Sequence, residues 1–477
     1  MITIVLSTLT VVGALVWFLS RSYQKPTIES FLVSNRNIPF LLGTTAVLAT
    51  WTHVFALIVG ATFAYRSQWH LFWFLVPNVS ALIVLGVFAP KIQDAIPKGY
   101  TLPQVVGKAF GPNVRTVYAL SAFGSLVYIV ASTMTALSQW IGQQLGTPPW
   151  QISVIIGIFA FSWVIRRGLP AAVIGDSVKV ALIMAGILGV LALHLYHSDT
   201  TPLTRISQSP ISFGGTFWML GIPLFVTLIA AALCNADIGE RVYAINRRKV
   251  RYSYLFAAVL FAVIVGTYGS IGFLAKNLGM SLSNTEPPAL AVLQATMSQW
   301  ILFLVTVVLI VVLVSTLASM IGSAGDLTVI EIYQRFINKR ANNAETVRWG
   351  RIFMTMTVVL GTLIATLNLD LSLLIQSMAV IRGEVIIPML LALFWPLIAP
   401  GRYVFWGMIT GVLGGITITF GGPLRQNVFS QSTAQFIIAN SRPFGALFTL
   451  FAPLGFCLLA VTLRRVGALT LVTHRDV

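Results

Sequence analysis

Charge is scarce in this chain. Only 9% of its 477 residues are Asp, Glu, Lys or Arg, where a soluble domain carries roughly 25%. That excludes an ordinary soluble protein, and 57% hydrophobic residues exclude a disordered one. Cysteine is nearly absent. Cys234 and Cys457 both lie in apolar runs, so no disulfide scaffold is expected. No GxxxxGK[ST] phosphate loop occurs, which speaks against an ATP-driven pump. No long polar segment separates the apolar runs, so neither a soluble catalytic domain nor a sensor output domain is expected.

What fills the chain is apolar, with a mean hydropathy of +0.88. The runs last about twenty residues, the length of a spanning helix and twice that of a barrel strand. Thirteen are read, at about 2–20, 39–65, 70–90, 113–142, 151–165, 171–195, 214–235, 252–275, 298–330, 349–367, 371–396, 403–420 and 444–463. The fold class expected is an all-α polytopic membrane protein. The first run has no basic n-region and no small-residue cleavage site, so it reads as a retained helix and not as a signal peptide.

The net charge of +17 would suggest nucleic acid in a soluble protein. Here the basic residues alternate by side: loops on one side hold 23 Lys and Arg, including Arg241, and those on the other hold 5. The positive-inside rule then sets the N-terminus outside and the C-terminus in the cytoplasm of a multi-pass cell-membrane protein. A lipid bilayer and a small organic solute are the expected partners, with no nucleic acid and no obligatory protein partner.

Ionisable groups inside apolar runs mark function. They are His53, Asp176, Lys179, Asp326, Glu331, Arg382 and Glu384. Asp176 and Lys179, three apart, share a helix face and are expected to set coupling. Arg382 and Glu384 flank Gly383 and do not share a regular face; a gating role, an internal ion pair or an irregular turn is expected of them. Two runs also look interrupted. Run 39–65 holds Gly43, the stretch Ala49-Thr50-Trp51-Thr52-His53 with its three polar side chains, and Gly60, and run 214–235 holds Leu220-Gly221-Ile222-Pro223. They are the second and seventh runs, so they open two successive sets of five. Broken helices at equivalent places in two halves point to a transporter site at the membrane midplane.

Six motifs in order resemble the sodium/solute symporters, the family of the proline, galactose, pantothenate and choline carriers. Glu29-Ser30-Phe31-Leu32-Val33-Ser34-Asn35-Arg36 resembles its EDFFLAGR motif. Ala49-Thr50-Trp51, with Gly60 and Tyr65, resembles the choline-carrier form of the first core helix. Arg167-Gly168-Leu169 through Asp176 resembles GGLxAVxxTDxxQ, and Gly239-Glu240-Arg241-Val242-Tyr243-Ala244 resembles QRxxAA. Val314-Ser315-Thr316 through Glu331-Ile332-Tyr333-Gln334-Arg335-Phe336 resembles MST…DIYxRF. Pro388 through Leu393-Phe394-Trp395, with Gly407-Met408 and Gly411, resembles PxxLxLFW…GMxxG.

The resemblance implies a LeuT-type core of two inverted five-helix repeats with broken first helices. It would divide the chain into an extra N-terminal helix and link (1–38), a first repeat (39–195), a second repeat (196–396) and two C-terminal helices with a short tail (397–477). It implies a secondary active transporter, not an enzyme, carrying out sodium-coupled symport by alternating access with no catalytic or cofactor-binding residues. It further implies a sodium site from the carbonyls of Ala49, Thr52 and Val312 and the hydroxyls of Ser315 and Thr316. The solute would lie beside Trp51, His53, Phe55 and Ala56. Two residues depart from the family pattern: Lys179 stands where the family has Gln, and His53 where it has a small residue. In proton-coupled relatives of the fold, a lysine on this helix puts its ammonium where sodium would bind. Sodium is the expected coupling ion because both hydroxyls are retained. Proton coupling through Lys179, or a transporter-like solute sensor, is the alternative. His53 and Arg382 suit an anionic or zwitterionic solute, whereas Trp51 could stack on a quaternary ammonium.

Overall fold

The computed structural model describes residues 27–52, 54–145, 147–165, 169–196, 212–282, 287–367, 380–420 and 440–465, with the single residues 10, 18 and 378. The run expected at 2–20 lies outside them except for Thr10 and Phe18. Among the described residues nine helices are long and apolar enough to cross a membrane, or ten with one bent pair counted as a single span. No strand occurs among them; two extended residues, Ile38 and Ile245, form one isolated bridge.

A short helix α1 (Ile28–Val33) leads to the bent pair α2 (Phe40–Trp51) and α3 (Val54–Arg66). Then come α4 (Gln68–Ala95), the short α5 (Pro103–Phe110), α6 (Pro112–Leu145), α7 (Pro149–Val164) and α8 (Leu169–Tyr196). The second set runs α9 (Phe213–Cys234), α10 (Ala236–Ala244), α11 (Val250–Asn277), the short α12 (Pro288–Thr296), α13 (Gln299–Thr328), α14 (Asn343–Thr366) and α15 (Ile386–Phe394). The last described helices are α16 (Gly401–Phe420) and α17 (Ser441–Arg465), which pack along each other. Helix α7 is only 16 residues long, and part of the run expected at 371–396 lies outside the described residues.

Two layers meet at the centre. Helix α11 packs against α2, α3 and α4, while α13 packs against α6, α7, α8 and α14. The α3–α11 crossing is close enough to need glycine: a Cβ at Gly272 would stand 1.9 Å from the Ala61 carbonyl oxygen. Helix α8 touches both layers, against α2 on one side and α13 on the other.

The first helix of each set is broken, as expected, but the second break falls elsewhere. Helix α2 ends at Thr52 (φ −84°, ψ 82°), and α3 leaves at an angle of 58° to it. In the second set Phe217–Gly221 is a wide π turn that runs on into the helix. Pro223 lies inside the continuous helix Phe213–Cys234, directly after the π turn, where the regular i→i−4 ladder is already interrupted and the Ile222 N–H reaches back to Phe217 O. The break instead comes at Asn235, whose extended backbone (φ −66°, ψ 127°) separates α9 from α10. Backbone bonds tie the far ends of the two broken helices together. The N–H of Ile38, just before α2, donates to Ala244 O at 3.1 Å, and the Asn246 N–H donates to Ile38 O at 3.1 Å.

Candidate functional site

A helix end leaves carbonyl oxygens without intrahelical donors. At the end of α2 one of these is filled by a side chain from another helix. Lys179 of α8, only 1% exposed, donates from Nζ to Ala49 O at 2.5 Å and to Thr316 Oγ1 at 2.6 Å. Thr316 in turn donates to Val312 O at 2.9 Å, one turn back along α13. The ammonium therefore sits on two of the five oxygens expected to hold sodium, and a third accepts a neighbouring hydroxyl. The hydroxyls of Ser315 and Thr52 are buried with no partner among the described residues. Ser315 lies against Gly175 of α8, where a Cβ would stand 3.3 Å from its Oγ, so α8 and α13 pack tightly one turn before the lysine.

Asp176 and Lys179 do share one face of α8, but they do not pair. Asp176 Oδ2 instead accepts from Arg241 Nη2 at 3.0 Å, both side chains being fully buried. Arg241 also donates to Asp237 O at 2.7 Å and to Ser319 Oγ, with Glu240 Oε2 at 3.6 Å from Nη1. Glu240 accepts from Ser323 of α13 at 2.6 Å. Arg241, counted above as a loop residue, is thus a buried residue of α10. Carboxylates of α8 and α10 surround it, which leaves Lys179 free to address α2 and α13.

Arg382 and Glu384 are both buried and do not bond to each other. Arg382 Nη1 donates to Ser125 Oγ at 3.1 Å and to Asn235 Oδ1 at 3.3 Å. Glu384, in the tight turn Gly383–Val385, accepts from Ser121 Oγ at 2.6 Å. An ion pair between them is therefore replaced by an irregular turn whose two charged groups each reach α6. Glu331, by contrast, sits in a true clamp. Arg115 grips it with two bonds, at 2.7 and 3.1 Å, and Thr101 donates a third.

Of the expected solute-site residues, Trp51 and Ala56 are buried beside the first break, and the Trp51 indole N–H has no partner among the described residues. His53 and the side chain of Phe55 lie outside the described residues. Arg241, Asn235, Tyr128 and the serines of α6 were missed as site residues. The signal available for the first of these was the density of charge in Asp237-Ile238-Gly239-Glu240-Arg241, which reads as a short loop until a helix break is placed before it.

Two broken helices stand in an all-helical two-layer core, the first tied to α13 by Lys179 of α8 and the second tied to α8 and α13 by Arg241. Residues 31–411 match the model of the sodium:solute symporter family, and the chain belongs to that family. Among curated proteins it is 21% identical over 431 residues to "Probable urea active transporter 3" of Schizosaccharomyces pombe, covering 82% of this chain and 64% of that one. It is 22% identical to a urea-proton symporter of Oryza sativa, covering 80% and 59%. It is 24% identical to sodium/glucose cotransporter 1 of Oryctolagus cuniculus, covering 70% and 59%. The chain thus spans under two thirds of the length of these relatives. Its fold is similar to that of a Na+-coupled sialic acid symporter in a substrate-bound outward-open state (TM-score 0.73, 14% identity, covering 96% and 97%). A nucleobase-cation-symport-1 family transporter in a closed conformation is less similar (TM-score 0.55, 14% identity, covering 90% and 95%). The family and fold are those of multi-pass membrane transporters with a LeuT-type core.

Proposed function

We propose that this protein is a secondary active transporter of a small organic solute, working by alternating access, and that the proton on Lys179 is its coupling charge. The observation that carries this reading is the position of the Lys179 ammonium on Ala49 O and Thr316 Oγ1. An ammonium offers three donors and one positive charge, so it meets the same oxygens that a monovalent cation would. With its proton on, Lys179 ties the end of α2 to α13. With the proton gone it keeps weaker, uncharged bonds, and the layers are freer to rock. The solute binds beside the two breaks, at Thr52 and Asn235. A membrane potential of 100 mV contributes about 2.3 kcal/mol per charge moved, and one unit of pH difference about 1.4 kcal/mol. The urea-proton symporter among the relatives is consistent with this coupling.

Sodium coupling is the second reading. It is favoured by the unpartnered buried hydroxyls of Ser315 and Thr52 and by the sodium-coupled relatives. In it, Na+ takes the site once the ammonium has swung away. From the bias of loop Lys and Arg we further propose that the N-terminus lies outside and the C-terminus in the cytoplasm of the cell membrane.

The test is uptake into sealed proteoliposomes under either an imposed pH gradient or a Na+ gradient, using a solute that stabilises the purified protein. Accumulation that follows the pH gradient in sodium-free buffer is expected. Binding without accumulation under any gradient means a sensor and overturns the transport reading.

A further inference from the structure

One face of α6 carries Ser121, Ser125 and Tyr128, at i, i+4 and i+7. Ser121 holds Glu384 and Ser125 holds Arg382, while the Tyr128 hydroxyl is buried with no partner among the described residues. Arg382 is 5% exposed. Its Nη1 is spent on Ser125 and on Asn235, the residue at the second helix break. Its Nε is buried and unpartnered among the described residues, and the ion pairs formed among those residues do not include it. The one nearby carboxylate on its own segment, Glu384, turns to Ser121 instead.

A guanidinium does not give up its proton in a protein. A buried positive charge with no counter-charge is costly, and proteins compensate such groups with a partner. Among the described residues its hydrogen-bond partners are only a serine hydroxyl and an amide oxygen, both neutral; the Asp237 carboxylate is near enough to interact with it but forms no ion pair, its Oδ1 accepting from the Ile238 N–H. The remaining donor edge of Arg382 and the free hydroxyl of Tyr128 lie next to the break where the solute is expected. A planar fork of N–H donors matches a carboxylate in both charge and geometry. A neutral carbonyl could accept a hydrogen bond from Nε but would leave the charge uncompensated.

We propose that Arg382, with the Tyr128 hydroxyl beside it, is the anchor for a carboxylate group on the transported solute. This rests on the transport reading above and adds to it the solute's chemical class. Arg382 is a specificity residue in this account; coupling stays with Lys179.

The experiment measures binding to the purified full chain in detergent by thermal stabilisation. The probes are two- to six-carbon monocarboxylates and α-amino acids, each tested beside its own amide, and urea. At least one carboxylate should stabilise the protein while its amide does not. Arg382→Gln should weaken that carboxylate by roughly a hundredfold or more. Arg382→Lys, which keeps the charge but not the fork, should weaken it by about tenfold, and Tyr128→Phe by about five- to tenfold. If Arg382→Gln does not fold, the other two variants carry the comparison. A merely structural arginine would lower stability in all conditions without changing the preference for acid over amide. Failure of every carboxylate to bind, equal binding of acid and amide, or stabilisation by urea alone overturns the proposal. Binding is read without any gradient, so a carboxylate that binds but is never accumulated overturns transport and leaves the anchor standing. Accumulation of an uncharged solute with no carboxylate binding does the reverse.

Discussion

The Arg241–Asp176 pair offers the sharpest test of the packing beneath the candidate site. Both side chains are fully buried and their N–O distance is 3.0 Å. Arg241→Gln removes the charge and shortens the side chain, so Asp176 keeps a buried carboxylate with no cation bonded to it. Breaking a buried pair in this way costs about 3–5 kcal/mol. Asp176→Asn is milder, because Arg241 retains Asp237 O, Ser319 and the Glu240 carboxylate at 3.6 Å. Only one charged hydrogen bond is lost, at about 1.5–3 kcal/mol. In the double variant the Asp176 charge is removed together with Arg241, and only Glu240 still loses its cation, so it should be less destabilised than the two single losses combined, by about 2 kcal/mol. The assay is unfolding of the purified chain in mixed micelles of rising denaturing-detergent content, followed by tryptophan fluorescence. Losses that add to within about 0.5 kcal/mol would refute the reasoning, since the two residues would then be stabilised independently.

Gly272→Ala should destabilise by about 3 kcal/mol, because its new methyl meets the Ala61 carbonyl across α3 and α11. Gly189→Ala, with nothing within 4 Å, should be neutral or stabilising by about 0.5–1 kcal/mol, and the same unfolding assay reads both. Ser315→Ala should leave pH-driven uptake intact; a raised half-saturating Na+ concentration in this variant would instead favour sodium at that hydroxyl. A reporter fused after Val477 should be active only on the cytoplasmic side, and activity outside would reverse the orientation read from the loop charges.

The apolar runs of the core were legible because each is set by length and composition, which the bilayer imposes directly. The break at Thr52 was legible because polar residues interrupt an apolar run. The break at Asn235 was not. Gly221 and Pro223 look like breakers, yet the π turn absorbs the glycine and the proline follows that turn inside one continuous helix. Once the break was misplaced, the residues after it read as a loop and Arg241 was counted with the cytoplasmic charges. The spacing of Asp176 and Lys179 correctly put them on one face, but spacing cannot say which partner each finds. Arg241 arrives 65 residues later in the chain, and Ala49 130 residues earlier than Lys179. Likewise the separation of Arg382 and Glu384 excluded a shared helical face, while only the fold could show that each turns to a different serine of α6.

The most direct measurement is the driving force before and after Lys179→Gln, the substitution that restores the usual family residue. Proteoliposomes containing the wild type or the variant are given an inward-directed proton gradient without sodium, and separately a Na+ gradient at equal pH, with the same stabilising solute inside or outside. The wild type should accumulate solute with the proton gradient alone, and the variant should lose that response while still exchanging solute across the membrane. Wild-type uptake that requires Na+ and ignores the proton gradient, with Lys179→Gln unchanged, would contradict the assignment of coupling to Lys179.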